Sequence, residues 1–391
     1  MILQKDIVVV GGGIAGLWLL QRLLQAGFDA VLLERQALGE GQTIASQGMI
    51  HGGLKYALGG GLTGASEAIA DMPAHWARCL RGEGELDLRG TRILSSDYYL
   101  WPSDDLRSRL TAFLGSKVVS SKVTAVAPAD YPAFLAKRIP GPLYRLHDLV
   151  LDVPSLLHTL ARLATGRVFQ LAALDEVLVT DAAGRLAGLR LPGGQRMQAQ
   201  RFVFTAGAGN ESLAQRFGQA QVEMQRRPLQ MVIVKHRFGD PLFVHCVGQD
   251  FSATPELTIT THPCRDGRQA WYLGGEIAES GARLDSETLL TRARERLRQR
   301  FPWCDFATAE FSTLRIDRAE AQQPGGRRPD RDNVVAHDNL LFCWPTKLTL
   351  APALAASVLT ELARQGVLPH GEGAALEGLS APAVAAAPWD A

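Results

Sequence analysis

The stretch that most constrains this chain lies at its start. Ile7-Val8-Val9-Val10 is a β-branched apolar run, the pattern of a strand buried on both faces. Gly11-Gly12-Gly13-Ile14-Ala15-Gly16 follows at once, and Ile14, Leu17, Leu20 and Leu24 then recur at helical spacing. Ala30-Val31-Leu32-Leu33 predicts a second strand, which ends on Glu34. Strand, glycine turn, helix and strand in this order make a unit that holds a dinucleotide. Gly11 permits the tight turn, Gly13 lets the backbone approach a pyrophosphate, and Gly16 lets helix and strand pack closely. The amides at the helix start, around Ile14 and Ala15, face the phosphates, and the helix dipole favours their charge. Glu34 stands where a carboxylate can accept both ribose hydroxyls of an adenosine, and Arg35 opens the polar loop that follows. The glycine pattern alone is weak; with a strand before, a helix after and an acid at this distance, it is specific.

The next segment narrows the cofactor. Residues 42–56 read Gln-Thr-Ile-Ala-Ser-Gln-Gly-Met-Ile-His-Gly-Gly-Leu-Lys-Tyr. Thr43, Ser46, Gln47, Gly48 and Met49 supply small, hydroxylated or flexible positions along a second phosphate and a ribityl chain. A nicotinamide-binding domain does not need such a path; flavin adenine dinucleotide (FAD), which lies extended through its domain, does. An NAD-dependent dehydrogenase on the same fold, and a flavoprotein that holds FAD for structure or electron transfer, stay open as alternatives.

Residues 34–56 resemble the flavin-binding segment of the D-amino-acid oxidase and glycine oxidase superfamily. That superfamily also holds sarcosine oxidases, glycerol-3-phosphate dehydrogenase and L-2-hydroxyglutarate dehydrogenase. Ile50-His51-Gly52-Gly53-Leu54-Lys55-Tyr56 is similar to the Ile-His-Gly-Gly-Leu-Arg-Tyr run of the glycerol-3-phosphate enzymes. The resemblance implies non-covalent FAD and a Rossmann-like α/β cofactor domain of glutathione-reductase type, beside a second, mixed-sheet substrate domain. It places His51 near the flavin ring. It makes the strand-end residues Ala206 and Gly207 neighbours of the dinucleotide, and Leu174 a backbone contact to adenine. Arg315 becomes the anchor for a substrate carboxylate, with Arg318 as its substitute. Lys347, Leu348 and Thr349 fall on the loop that meets the flavin pyrimidine edge. Family members are glycine-rich in that loop; here Trp344-Pro345-Thr346-Lys347-Leu348-Thr349 replaces the glycines.

The implied reaction is hydride transfer from a C–H beside an amine or hydroxyl of a small carboxylate to the flavin, with oxygen or another acceptor taking the electrons. A hydroxy acid needs a general base, for which His51 is the candidate, whereas an amine needs little more than a neutral nitrogen. Lys55 in place of the family's arginine argues against glycerol 3-phosphate itself.

Composition removes other classes. Lysine and arginine total 41 against 40 acids, which argues against nucleic acid or an anionic membrane as main partner. The five cysteines include no C-x-x-C pair, so reduced thiols in a cytoplasm are expected, and no metal site. Gln21 and Arg22 interrupt the apolar start before it reaches membrane-spanning length. The order of segments predicts a discontinuous cofactor domain over 1–75, 150–215 and 325–391, with a substrate domain over 76–149 and 216–324. The alanine-, glycine- and proline-rich residues 371–391 are expected to form a loose tail.

Overall fold

The computed structural model describes residues 2–52, 69–103, 123–139, 141–248, 254–371 and 373–391. The expected loop at 57–64 and strand at 117–119, and the Gly53–Tyr56 part of the family-like run, lie outside them.

Two large sheets organise the chain. In the first, Ile2–Val10 pairs in parallel with Ala30–Glu34 on one side and with Arg196–Phe204 on the other. Val168–Gln170 extends the sheet beyond Ala30–Glu34, and Leu340–Trp344 extends it beyond Arg196–Phe204, both in parallel. Asn333–His337 closes that edge antiparallel. Val8, Val9, Leu32, Phe202 and Leu341 are all inaccessible, as continuous apolar strands covered on both faces should be. Helices Ile14–Gln25, Val153–Leu163 and Ala351–Arg364 cover one face, with Leu17, Leu157, Leu354 and Val358 in a shared core. Phe204, Phe217, Phe342 and Trp344 fill the other.

The second sheet runs Glu310–Ala321, Met224–His236, Gln269–Gly274, Leu257–Pro263, Val244–Val247, Tyr98–Pro102, Leu143–Leu146 and Val123–Val126 in spatial order. All neighbours are antiparallel except Val244–Val247 with Tyr98–Pro102. Helix Ser286–Arg300 lays Leu289, Ala293 and Leu297, four residues apart, on one face of this sheet. Arginines on its flanks are half-buried, with Arg300 donating to the Trp101 carbonyl at 2.6 Å and Arg294 lying over the Phe311 ring. A small third sheet joins Met49–Ile50 and Ile93–Ser95 to Leu149–Leu151.

Helix Met72–Leu80 straddles the expected boundary at residue 75 and packs on the first core, where Trp76 lies against Trp18 with ring centroids 4.6 Å apart. Two expectations change. Leu174–Val177 is one helical turn, and the hairpin begins only at Leu178.

The C-terminal residues are not loose. Leu38 donates from its N–H to Ala383 (2.7 Å) and accepts from Ala385 N–H (3.0 Å), and Gln170 N–H donates to Ser380 at 2.7 Å. Trp389 is 4 % exposed, stacks on His262 at 4.1 Å and meets Tyr272 edge-on at 5.5 Å. Small residues suit a strap lying flat over two sheets, and the indole at its end supplies the apolar area that fixes it.

Candidate active site

A cleft of about 1670 Å³ opens between the two sheets. One end is the glycine turn. Gly11 has φ +110°, and a Cβ there would lie 2.7 Å from the carbonyl oxygen of Thr205. A Cβ on Gly16 would lie 2.0 Å from the carbonyl oxygen of Gly11, so this glycine serves helix-to-strand packing. Helix Ile14–Gln25 starts at Gly13 with no side-chain cap and no acid in its first turn. Thr43 Oγ1 accepts from Ile14 N–H at 3.1 Å. Glu34 accepts from Gly12 N–H (2.5 Å) and from Gln36 N–H (2.8 Å), which holds the turn in shape. Each carboxylate oxygen keeps a lone pair for a further donor. Arg35 is exposed at the rim.

Residues 42–51 then run along the cleft. Thr43, Ser46, Gln47, Met49 and His51 line it. Gly48 takes φ +70°, and a Cβ there would sit 2.1 Å from the carbonyl oxygen of Leu151. Its glycine therefore lets two strands cross closely. Gln47 Nε2 lies 2.8 Å from the carbonyl oxygen of Tyr272, 3.1 Å from that of Thr258 and 3.3 Å from Thr260 Oγ1, stapling the segment to the second sheet. His51 is 7 % exposed. Its N–H donates to Thr349 Oγ1 at 3.5 Å, and that hydroxyl donates to the Met49 carbonyl at 3.3 Å. The next amide, Gly52 N–H, donates to the buried Asp148 carboxylate at 2.9 Å.

Ala206 and Gly207 line the cleft at the end of strand Arg196–Phe204. Sequence reasoning missed two residues that hold this strand end. Thr205 Oγ1 donates to the carbonyls of Val10 (3.1 Å) and Gly11 (2.9 Å). Asn210, inaccessible to solvent, accepts from Ala206 N–H at 3.0 Å and donates to the carbonyls of Phe204 and Cys343, both at 3.2 Å. Cys343 is buried, and burial pushes its thiol well above the usual range, which leaves a packing residue.

The 344–349 loop faces the same cleft, with Lys347 and Leu348 along it and Leu348–Leu350 forming a 3-10 turn into helix Ala351–Arg364. Thr346 takes φ +63°, a conformation that favours glycine, and its hydroxyl donates to the Arg331 carbonyl at 2.9 Å.

The arginines divide by the alternation of a strand. Arg315, exposed, donates to the Ala282 carbonyl at 3.0 Å and is not among the residues that line the cleft. Arg318 has the opposite parity and lines the cleft with its direct cross-strand partner Arg227. Glu279 lies 3.7 Å from Arg318 and 3.4 Å from Arg328, while Glu320 lies 3.3 Å from Arg227. Burial, then the neighbouring Arg328 and Arg227, push Arg318 down to about 10. Arg227, Arg328 and Glu279 were invisible from sequence because cross-strand register brings Arg227 here and tertiary packing brings Arg328, from the segment before Asn333–His337, and Glu279, from helix Glu276–Gly281.

The cleft fits an extended dinucleotide. The helix start presents backbone amides with no acid in the first turn and a carboxylate behind it, the setting that binds phosphate. The volume exceeds the roughly 300–1,000 Å³ of ordinary ligand sites. Trp344, 1 % exposed and bordering the cleft, has an indole Nε1 with no hydrogen-bond partner among the described residues, a donor kept for a bound group.

Fold and site thus define a two-domain dinucleotide-binding protein with its cleft between the domains. The family model described as FAD dependent oxidoreductase matches residues 6–362, and the chain belongs to that family. It is 47 % identical over 390 residues to a probable FAD-dependent oxidoreductase of Pseudomonas aeruginosa, PA4991, covering 99 % of this chain and 98 % of the relative. The crystal structure of PA4991 superimposes with a TM-score of 0.85, at 43 % identity, covering 100 % of this chain and 98 % of that one. Glycine oxidase from Geobacillus kaustophilus shares the fold at TM-score 0.65 and 17 % identity, over 93 % of this chain and 95 % of that one. L-alpha-glycerophosphate oxidase from Mycoplasma pneumoniae, solved with FAD bound, does so at 0.62 and 13 %, over 96 % and 97 %. The cofactor is FAD, and the nicotinamide alternative falls. Among the described residues no helix is long and apolar enough to cross a membrane, and no group of side chains is set to hold a metal.

Proposed function

We propose that this FAD-dependent oxidoreductase oxidises a C–H bond beside the amine or hydroxyl of a small carboxylate. The observation that carries the reading is that Arg318, a partly buried guanidinium, shares one cleft with the glycine turn and residues 42–51. Glycine oxidase and L-amino acid deaminase among the structural neighbours fit it. FAD bound here supplies the two-electron acceptor. Gly11, Gly13, Ile14, Ala15, Glu34, Arg35, Thr43, Ser46, Gln47, Met49, Ala206 and Gly207 would hold it. Gly16, Gly48 and Leu174 act through the backbone.

Arg318 receives the substrate carboxylate through parallel N–H···O bonds, and Glu279, already shared with Arg328, releases it at little cost. That fixes the reacting carbon in place, which is the protein's main contribution to a cofactor reaction. His51 is the group available to accept a hydroxyl proton should the substrate be a hydroxy acid. Lys347 places a positive charge near the developing negative charge of the reduced ring, and Leu348 and Thr349 position that loop.

The test is anaerobic reduction of the yellow holoprotein by panels of amino acids, N-methyl amino acids and 2-hydroxy acids. Bleaching by one panel identifies the bond oxidised, and re-oxidation in air separates oxygen from another electron acceptor. A yellow protein that no carboxylate bleaches refutes the reading.

A further inference from the structure

Strands Met224–His236 and Glu310–Ala321 present a ladder of side chains to the cleft. Register places Arg227 opposite Arg318 and Leu229 opposite Ile316, with Met231 opposite Leu314 one rung further. Residues two apart point the same way and stand about 7 Å apart along a strand. Arg227, Leu229, Met231, Ile316 and Arg318 all line the cleft. At the inner end, a Cβ on Gly274 would lie 2.7 Å from Gln47 Oε1 and 3.3 Å from Met231 Cε, so Met231 stands beside the segment that follows the cofactor. The wall thus reads cofactor path, apolar rung, guanidinium rung.

Met231 is 4 % exposed, but Leu229 and Ile316 remain partly exposed at the cleft surface. Two facing apolar side chains, each partly exposed in a concave site, offer a surface that an apolar part of a ligand can cover. The guanidinium rung beside them says by what. A carboxylate on Arg318 directs the rest of its molecule onto either the charged rung or the apolar one. Arg227 and Arg328 already have Glu320 and Glu279, whereas Leu229 and Ile316, packed on one side against the cluster of Met231, Tyr272 and Trp389, keep part of their surface in the cleft. The cleft volume leaves room for an organic group beside the cofactor.

We infer that the substrate is amphipathic, a carboxylate bearing an apolar side chain, and that Leu229 and Ile316 determine this specificity by packing against that side chain. The inference rests on the carboxylate reading above and names the substrate class within it.

A binding measurement separates the two. The oxidised holoprotein is titrated with acetate, butyrate and hexanoate, and the shift in flavin absorbance is followed. Affinity should rise about fourfold per methylene, the equivalent of ~0.8 kcal/mol. Ile316→Thr and Leu229→Thr, both compatible with a strand, should flatten that slope while leaving acetate affinity within twofold. Ile316→Val, which stays apolar, should keep it. A series that binds with no dependence on chain length, or a slope that both threonine variants preserve, overturns the inference while the carboxylate reading stands. If no carboxylate perturbs the flavin, both fail. In turnover, kcat/KM for the panel that bleaches the flavin should follow the same order, with KM carrying the change.

Discussion

The C-terminal strap offers the sharpest test of how this fold holds its cofactor. Trp389 is 4 % exposed against His262 and Tyr272, and Tyr272 in turn donates its hydroxyl to the Ala45 carbonyl at 2.9 Å. Upstream, residues 383–385 bond both sides of Leu38, in the loop between Glu34 and Thr43. Trp389→Ala removes the apolar anchor of the strap. A buried Trp→Ala change costs ~3–5 kcal/mol in a core, but here the loss cannot exceed the free energy of docking the strap, because the segment can detach without global unfolding. Once it detaches, the two bonds to Leu38 go, worth ~1 kcal/mol each. A total of ~2 kcal/mol shared with the cofactor loop corresponds to about 30-fold weaker FAD binding. Recovery of flavin fluorescence on dilution measures that affinity, and limited proteolysis near residue 380 reports the detached strap. A strap that is cleaved readily while FAD affinity stays within threefold of wild type would refute the coupling.

Arg318→Met should raise KM for the carboxylate substrate by ~10–100-fold, as expected for a charge-assisted bond pair, while Arg315→Met leaves KM within twofold. Steady-state kinetics on the holoprotein check both. Gly11→Ala should abolish FAD retention and destabilise by more than ~1 kcal/mol, since φ +110° and a contact at 2.7 Å both oppose a methyl group; flavin content and Tm measure it. His75 is raised to about 9 by hydrogen bonds to Cys79 and then Glu85, against the opposing effect of burial. A group raised in the folded state contributes stability that is full below its ordinary 6.5 and is lost as pH rises through about 9. Tm should therefore fall over that window, and His75→Gln should flatten the fall.

The first motif was legible because every physical requirement for it is local. A buried strand, a turn that needs glycine, a helix start and an acid all lie within residues 6–34. The cofactor sheet and the mixed second sheet were legible as what the family resemblance of residues 34–56 implies. What sequence could not give is register and parity. Arg315 and Arg318 sit three apart on one strand and therefore point to opposite faces, and only the pairing of Arg318 with Arg227 shows which face is wet. Gln47 reads in sequence only as a residue of the cofactor path; that its amide also spans more than 200 positions to Tyr272 and Thr258 is not legible there. The tail misled for a different reason. Its composition is that of a coil, and a coil it remains, but one fastened by backbone bonds and one indole. Trp389 in a run of alanine and proline was the signal.

Gln47 carries a consequence for the catalytic cycle. Its carboxamide belongs to the segment that cradles the cofactor, yet its hydrogen bonds end on the substrate sheet. Prising the two lobes apart would strip that amide, the Tyr272–Ala45 bond and the docked strap together. Substrate exchange by a clamshell motion is therefore costly.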